Sequence, residues 1–406
     1  MATKKTNSSD MNNATGFDTL LEGMEATAMY KGAPVLGIAQ IAGLIAECGR
    51  EKTYMIQGEN GIGKTGAVRQ IAAMPEFQDY LFSVIDCTEL EMGDHTIPVP
   101  DLERGVVRPL PNERYGVYPG STRPVFLFFD EYAKAPRHIQ QAISPTVYEH
   151  RVGSTQLPDG SIVALATNLA VEGLGDAMQA HSRTRLTTLT MRKPTANEWC
   201  GWARTVGLAP SLPAFVEQHP YLMDSFIDYA PGGKFASQCE AQKGGKHNKY
   251  IYNPSDATQE AYVSPRTLAK ASPAIVKFVE GRISSMQLIA DLCGTIGVNG
   301  ASLLASYVRF EVDLPAWALI RKDPKNAPVP LDNPGALVVL SNRLMNDVVN
   351  ADDADAAVTY LERMPNEYQS SFVKSLLTVP SKLPRFTRNS KFLEMMKKHS
   401  FVMGGV

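Results

Sequence analysis

Short apolar runs that end in polar residues alternate with longer stretches of helical spacing over the first half of the chain. Runs of the first kind occupy residues 53–57, 82–86, 124–129, 161–168 and 186–191. Brief, continuous apolar runs predict strands covered on both faces, as in a parallel sheet. Residues 34–36 read as a further short strand segment ahead of them. Ile38, Ile41, Ala42 and Ile45 recur at helical spacing and stop near Cys48-Gly49, while Leu20, Leu21 and Met24 mark an earlier helical side. A helix is predicted over 67–74, and another through Ile139, Ala142, Ile143 and Val147, with Pro145 expected to bend it. Residues 152–160 hold an Asp-Gly turn signal and form part of a hairpin. Beyond residue 193 the pattern turns helical, first over 194–206 with Trp199, Trp202 and Ala203 on one face. Pro265 suits a first helical turn and places Arg266 at a helix start facing outward. Helices then run to about 295, over 301–310 and, with Pro-rich breaks such as 326–333, to about 398. There is no internal repeat. Strand–helix alternation followed by helices alone predicts an α/β sheet domain and then a helical region.

Two stretches depart from this pattern. Residues 87–122 are rich in Pro and Gly and predict a long structureless loop, which inside a domain is functional or inserted. They carry Asp94, His95, Asp101, Glu103, Arg104 and Arg108, but not at a metal-ligand spacing. Residues 229–253 are rich in Gly and Lys and read as a mobile insertion.

The chemistry concentrates at the C-terminal ends of the predicted strands. Gly58-Glu59-Asn60-Gly61-Ile62-Gly63-Lys64-Thr65 follows the first and opens a helix; Gly66 comes next. Strand, glycine loop and helix form the setting of a phosphate-binding loop, whose backbone N–H groups turn inward around a phosphate. Lys64 would reach the β- and γ-phosphates of ATP, and the Thr65 hydroxyl would ligate Mg²⁺. The third strand ends in Asp130-Glu131, where Asp130 is placed to organise the metal and Glu131 to polarise a water. The same pair is also a common acidic opening of a helix. Asn168 ends the fourth strand; it can bond a γ-phosphate or the attacking water, and it is also an ordinary turn residue. Arg183 and Arg185 precede the fifth strand. They are a solvated basic pair or an arginine finger reaching into a neighbouring subunit.

Composition adds limits. The chain has 406 residues, 40 basic and 42 acidic, for a net charge of −2. That length holds two or three domains, and near-neutrality disfavours a dedicated nucleic-acid binder. Five separated cysteines give neither a zinc spacing nor a disulfide framework, and fit a reducing cytosol. Residues 1–17 are polar and predict a disordered tail rather than a signal peptide. No apolar run looks long enough to cross a bilayer, so a cytoplasmic protein is expected.

Together these stretches resemble an AAA+ ATPase, most closely of the MoxR branch, over most of the chain. Residues 58–65 match Walker A, Asp130-Glu131 match Walker B, and Asn168 falls at the sensor-1 position. Ser182-Arg183-Thr184-Arg185-Leu186 resembles the finger segment, with Leu186 where Phe is usual; Ser264-Pro265-Arg266 resembles the sensor-2 segment. Residues 151–160 resemble the hairpin before sensor 1, and the stretch after Cys87 falls at the branch's helix-2 insertion. The resemblance implies an AAA+ P-loop NTPase sheet of five parallel strands in the order 5-1-4-3-2. The nucleotide-binding domain would span 18–193, an α-helical lid 194–300 and a C-terminal helical region 301–406. It implies Glu131, Asn168, Arg185 or Arg183, and Arg266 as catalytic residues; Gly58 to Gly66 as the nucleotide loop; and Thr65 and Asp130 as metal ligands. It further implies ATP with Mg²⁺, a homo-oligomeric ring, commonly a hexamer, a protein client, and a partner bearing a von Willebrand factor A domain. The alternatives are a nucleic-acid motor or loader of a phage or mobile element, and a nucleotide-dependent scaffold.

Overall fold

The computed structural model describes residues 29–30, 33–169, 184–229 and 247–399. Leu20, Leu21, Met24, Arg183 and most of the 229–253 insertion lie outside these residues. The chain divides into two compact units, Met1–Arg192 and Lys193–Val406.

The first unit is built on one sheet. Its strands are β1 (Met29–Tyr30), β2 (Ala33–Leu36), β3 (Tyr54–Gly58), β4 (Leu81–Asp86), β7 (Val125–Asp130), β10 (Ile162–Asn168) and β11 (Thr187–Met191). They lie in the order β1-β2-β11-β3-β10-β7-β4. The five predicted strands therefore stand in the order 5-1-4-3-2 and pair in parallel, as in an AAA+ P-loop sheet. The sheet is larger than the five strands expected. Val35 and Leu36 extend it in parallel beside Thr190 and Met191, and β1 adds an antiparallel edge.

The pleat explains why β7 reads as an unbroken apolar run. Val125, Leu127 and Phe129 pack on one face with Ile139, Ile143 and Val147 of α4 (Arg137–Glu149). Phe126 and Phe128 pack on the other with Ile41 and Ile45 of α1 (Ile38–Cys48) and Val68 and Ile71 of α2 (Lys64–Ala72). All five are fully buried, and each such side chain stabilises the fold by about 1.5–3 kcal/mol. Helix α4 runs through Pro145. The predicted hairpin is β8 (Arg151–Val152) with β9 (Thr155–Gln156), so its turn is Gly153-Ser154. Asp159-Gly160 instead turns the chain into β10, with Gly160 at φ 80°.

Residues 87–122 are not structureless. A short helix, α3 (Met92–His95), leads into an antiparallel ribbon of β5 (Thr96–Asp101) and β6 (Val106–Pro111). Proline made this segment look incompatible with strands. The pairing Pro98↔Pro109, with Thr96↔Pro111 and Pro100↔Val107, shows how it is accommodated. Neither partner in the Pro98–Pro109 pair has an N–H, so these sites occupy the alternate positions whose amides would point outward. Proline there removes edge donors and blocks further strand addition. Ile97, Val99, Leu102, Val106 and Val107 of the ribbon are exposed. The ribbon's charged residues pair locally, Asp101 with Arg104 and Arg108, and Asp94 with Arg114. The ribbon also meets the hairpin: the Ser154 N–H and hydroxyl both donate to the Pro109 carbonyl, at 3.4 and 3.2 Å. A Cβ at Gly153 would come within 2.6 Å of that oxygen.

The base of the ribbon is pinned by buried His95, whose Nδ1 lies 2.7 Å from the hydroxyl of buried Tyr115. Burial lowers the His95 pKa from its usual 6.5. The unfolded chain then takes up the proton first, so this contribution to stability is complete above pH 6.5 and is lost as pH falls below it. The melting temperature should fall from pH 7 to pH 5 by several degrees more in the wild type than in His95→Gln; equal slopes would sink the assignment.

The second unit is helical among its described residues. Trp199 of α5 (Ala196–Thr205) and Phe215 of α6 (Ser211–Gln218) pack with Leu268 and Ile275 of α7 (Pro265–Val279) and Leu292 and Leu304 of α8 (Ser285–Asp313). Trp202 packs beside Trp199 on the same face, with ring centroids 6.4 Å apart, but is 36% exposed. A second cluster draws on α9 (Trp317–Lys322), α10 (Pro334–Asp347), α11 (Ala351–Leu361) and α12 (Asn366–Leu377). Contrary to the sequence reading, Ser285–Lys322 is long and apolar enough to cross a membrane by length and composition. Its apolar residues Leu288, Leu292, Ile296, Leu304 and Val308 are buried in this unit's core, and α8 breaks at Gly297, which has φ 76° and ψ 159°.

Candidate active site

Three parallel neighbours carry the site. The register sets Gly58 of β3 beside Asn168 of β10, and Asp86 of β4 beside Asp130 of β7. Parallel strands end on the same side, so polar residues at their C-terminal ends collect in one crevice.

The loop after β3 takes its shape from its glycines. Gly61 and Gly63 have φ 75° and 94°, left-handed values that cost L-residues energy. Gly58 is needed for closeness: a Cβ there would meet Ile62 Cδ1 at 2.6 Å and the Met191 carbonyl at 3.0 Å. Ile62 is buried and anchors the loop in the core, and Glu59 is buried too. A Cβ at Gly66 would meet nothing within 4 Å, so crowding does not explain that glycine. Gly63 caps α2, whose first residues are Lys64 and Thr65. The N–H groups at such a helix start form an anion-binding site.

Lys64 is only 6% exposed. Its Nζ donates to the carbonyls of Gly58 and Glu59, at 3.0 and 2.9 Å, and to Asn168 Oδ1 at 2.7 Å. The Thr65 hydroxyl donates to Asp130 Oδ2 at 2.5 Å. Asn168 Nδ2 donates to Glu131 Oε2 at 3.3 Å, so one side chain links Lys64 to Glu131. Glu131 has φ 53° and ψ 32°, a left-handed conformation that a residue with a Cβ adopts only under constraint. Its N–H donates to Asp130 Oδ1 at 3.0 Å, which ties the two carboxylates into one turn. The thiol of Cys87, just beyond Asp86, is pushed well above its ordinary range by burial first and then by Asp86, Asp130 and Glu131.

Lys64, Thr65, Asp130, Glu131 and Asn168 are thus brought together. Arg185 is not among them. It is exposed and lies over the Tyr148 ring, 5.3 Å from its centroid. Arg266 is exposed in the first turn of α7, in the second unit. Lys134 was missed from sequence: its Nζ lies 3.0 Å from Glu131 Oε2. The three-residue spacing was visible, but only the tight turn after Glu131 gives it meaning.

Chemically, the crevice offers a helix N-terminus and a lysine for phosphate, a hydroxyl and carboxylate for a hard cation, and a second carboxylate held by an amide. Among known proteins, no protein-family profile matches the chain, and no curated protein matches it. Solved structures resemble it weakly. NtrX from Brucella abortus in complex with ATP is 15% identical, with 91% of this chain and 74% of that one covered and a TM-score of 0.34. The Thermotoga maritima RuvB Holliday junction branch migration motor is 13% identical, with 73% and 78% covered and a TM-score of 0.32.

Proposed function

We propose that this chain binds ATP and hydrolyses it to ADP and phosphate, acting in a ring on a protein client. The observation that supports this reading is the convergence of Lys64, the Thr65–Asp130 pair and the Glu131–Asn168 pair at the ends of three adjacent parallel strands. The loop amides and Lys64 hold the phosphates. Glu131 polarises a water whose oxygen bonds to the γ-phosphorus, while the bond from that phosphorus to the bridging oxygen breaks and ADP departs. Thr65 and Asp130, a hydroxyl and carboxylate already in contact, would hold Mg²⁺, which offsets phosphate charge when bound. Asn168 joins Lys64 to Glu131, so drawing Lys64 onto a γ-phosphate changes what holds Glu131.

A protein client is favoured by the ribbon, whose exposed Ile97, Val99, Leu102, Val106 and Val107 are apolar rather than basic. The resemblance to MoxR-type ATPases adds a protein with a von Willebrand factor A domain as the partner to seek.

The test is ATP affinity and phosphate release, with Lys64→Ala beside the wild type. Losing charge-assisted bonds to phosphate should weaken ATP binding on the order of 100-fold. Equal affinity in the variant would remove the nucleotide reading. Salt-sensitive stimulation by single-stranded DNA would transfer the client assignment to nucleic acid.

A further inference from the structure

We propose that Lys134 is a positioning residue for the hydrolytic water: it fixes Glu131 so that one carboxylate oxygen is held and the other faces the reaction. This rests on the reading of Glu131 as the water-polarising group.

The placement follows from backbone geometry. Glu131 begins a tight three-residue turn, Tyr132–Lys134, and the Lys134 N–H donates to the Glu131 carbonyl at 2.9 Å. With three residues per turn, side chains three apart eclipse, so Lys134 stands over Glu131. Tyr132, Ala133 and Ala135 are buried, which prevents the turn from rotating. Two groups reach the same atom: Lys134 Nζ forms an ion pair with Oε2 at 3.0 Å, and Asn168 Nδ2 donates to it at 3.3 Å. A carboxylate held twice on one oxygen has its rotation fixed and presents the other as an acceptor.

The two groups differ in how they hold it. Asn168 also receives Lys64, so its hold on Glu131 changes when Lys64 engages phosphate. Lys134 pairs with Glu131 directly, so it can keep Glu131 aimed while Asn168 shifts. The pair is partly exposed, at 26% and 22% of the two side chains, and is therefore a weak contributor to stability. Its value is orientation, and small misplacements of a reacting group are expensive.

The experiment measures kcat, the ATP KM and melting temperature for Lys134→Met, Lys134→Arg, Glu131→Gln and the double variant Glu131→Gln with Lys134→Met. Lys134→Met should lower kcat about tenfold with KM and melting temperature unchanged, and Lys134→Arg should recover most of it. In the Glu131→Gln background, Lys134→Met should have no further effect, because it acts through that carboxylate. An additive loss would show Lys134 acting elsewhere. A joint fall of kcat and melting temperature without rescue by Arg would show a structural role. Either result overturns the proposal, as does unchanged kcat in Lys134→Met. If Glu131→Gln itself turns over at the wild-type rate, the reading of Glu131 falls, and Lys134 with it.

Discussion

Glu131→Gln should bind ATP within about threefold of the wild type yet hydrolyse it 10²–10⁴-fold more slowly, the range lost with a general base. The two halves of this expectation come from different contacts. Binding is assigned to the loop amides, Lys64 and Thr65; Lys64 donates to the Gly58 and Glu59 carbonyls and Thr65 to Asp130. Asn168 links Glu131 to Lys64. A glutamine keeps the shape of the side chain and an oxygen to accept from Asn168 Nδ2, so the turn should persist. It cannot take up a proton from water. Fluorescent ATP titration and phosphate release on the same preparation separate the effects. Equal losses of affinity and turnover would mean that Glu131 shapes the loop instead of polarising water. Wild-type turnover would remove the hydrolytic role.

The five core strands were legible because burial on both faces suppresses the alternation of an ordinary strand. Val125 to Phe129 are all apolar because helices cover both sides of β7. The convergence of Lys64, Thr65, Asp130, Glu131 and Asn168 was legible for a related reason. Parallel strands must end together, so polar residues at strand ends share a crevice. What failed was reading that relied on local rules alone. Pro98, Pro100, Pro109 and Pro111 argued against strands in 96–111, yet register places them where no ladder bond is required. The Asp-Gly signal marked a real turn but the wrong one, since Gly153 must lie against the Pro109 carbonyl and so makes the hairpin. The apolar content of α8 was underrated because its segments on either side of the break at Gly297 read as two separate shorter helices. Lys134 was invisible because its role depends on the left-handed backbone of Glu131, which no propensity foretells in a residue bearing a Cβ.

Arg185→Ala should leave ATP affinity unchanged and lower turnover on the order of 10³-fold, the low end of what a finger supplied by a neighbour contributes. Arg185 does not join the residues gathered at the crevice; it is exposed and stacked over Tyr148. Such an exposed cation–π contact is worth only about 0.5–1 kcal/mol, so the side chain is available for a stronger partner at small cost. Leu186 beside it is buried and fixes the entry to β11, which keeps the arginine at a defined place on the surface. If the finger acts across subunits, two inactive variants should complement each other. An Arg185→Ala subunit keeps an intact Glu131, and a Glu131→Gln subunit keeps an intact finger. In a randomly mixed head-to-tail ring at equal amounts, about a quarter of interfaces combine the two intact parts, so about a quarter of wild-type turnover should return. Mixing must allow subunit exchange, followed by phosphate release at saturating ATP. No recovery, with exchange verified, would mean that Arg185 serves its own chain. Full turnover in Arg185→Ala alone would move the finger to another arginine, and Arg183→Ala is the variant to try next.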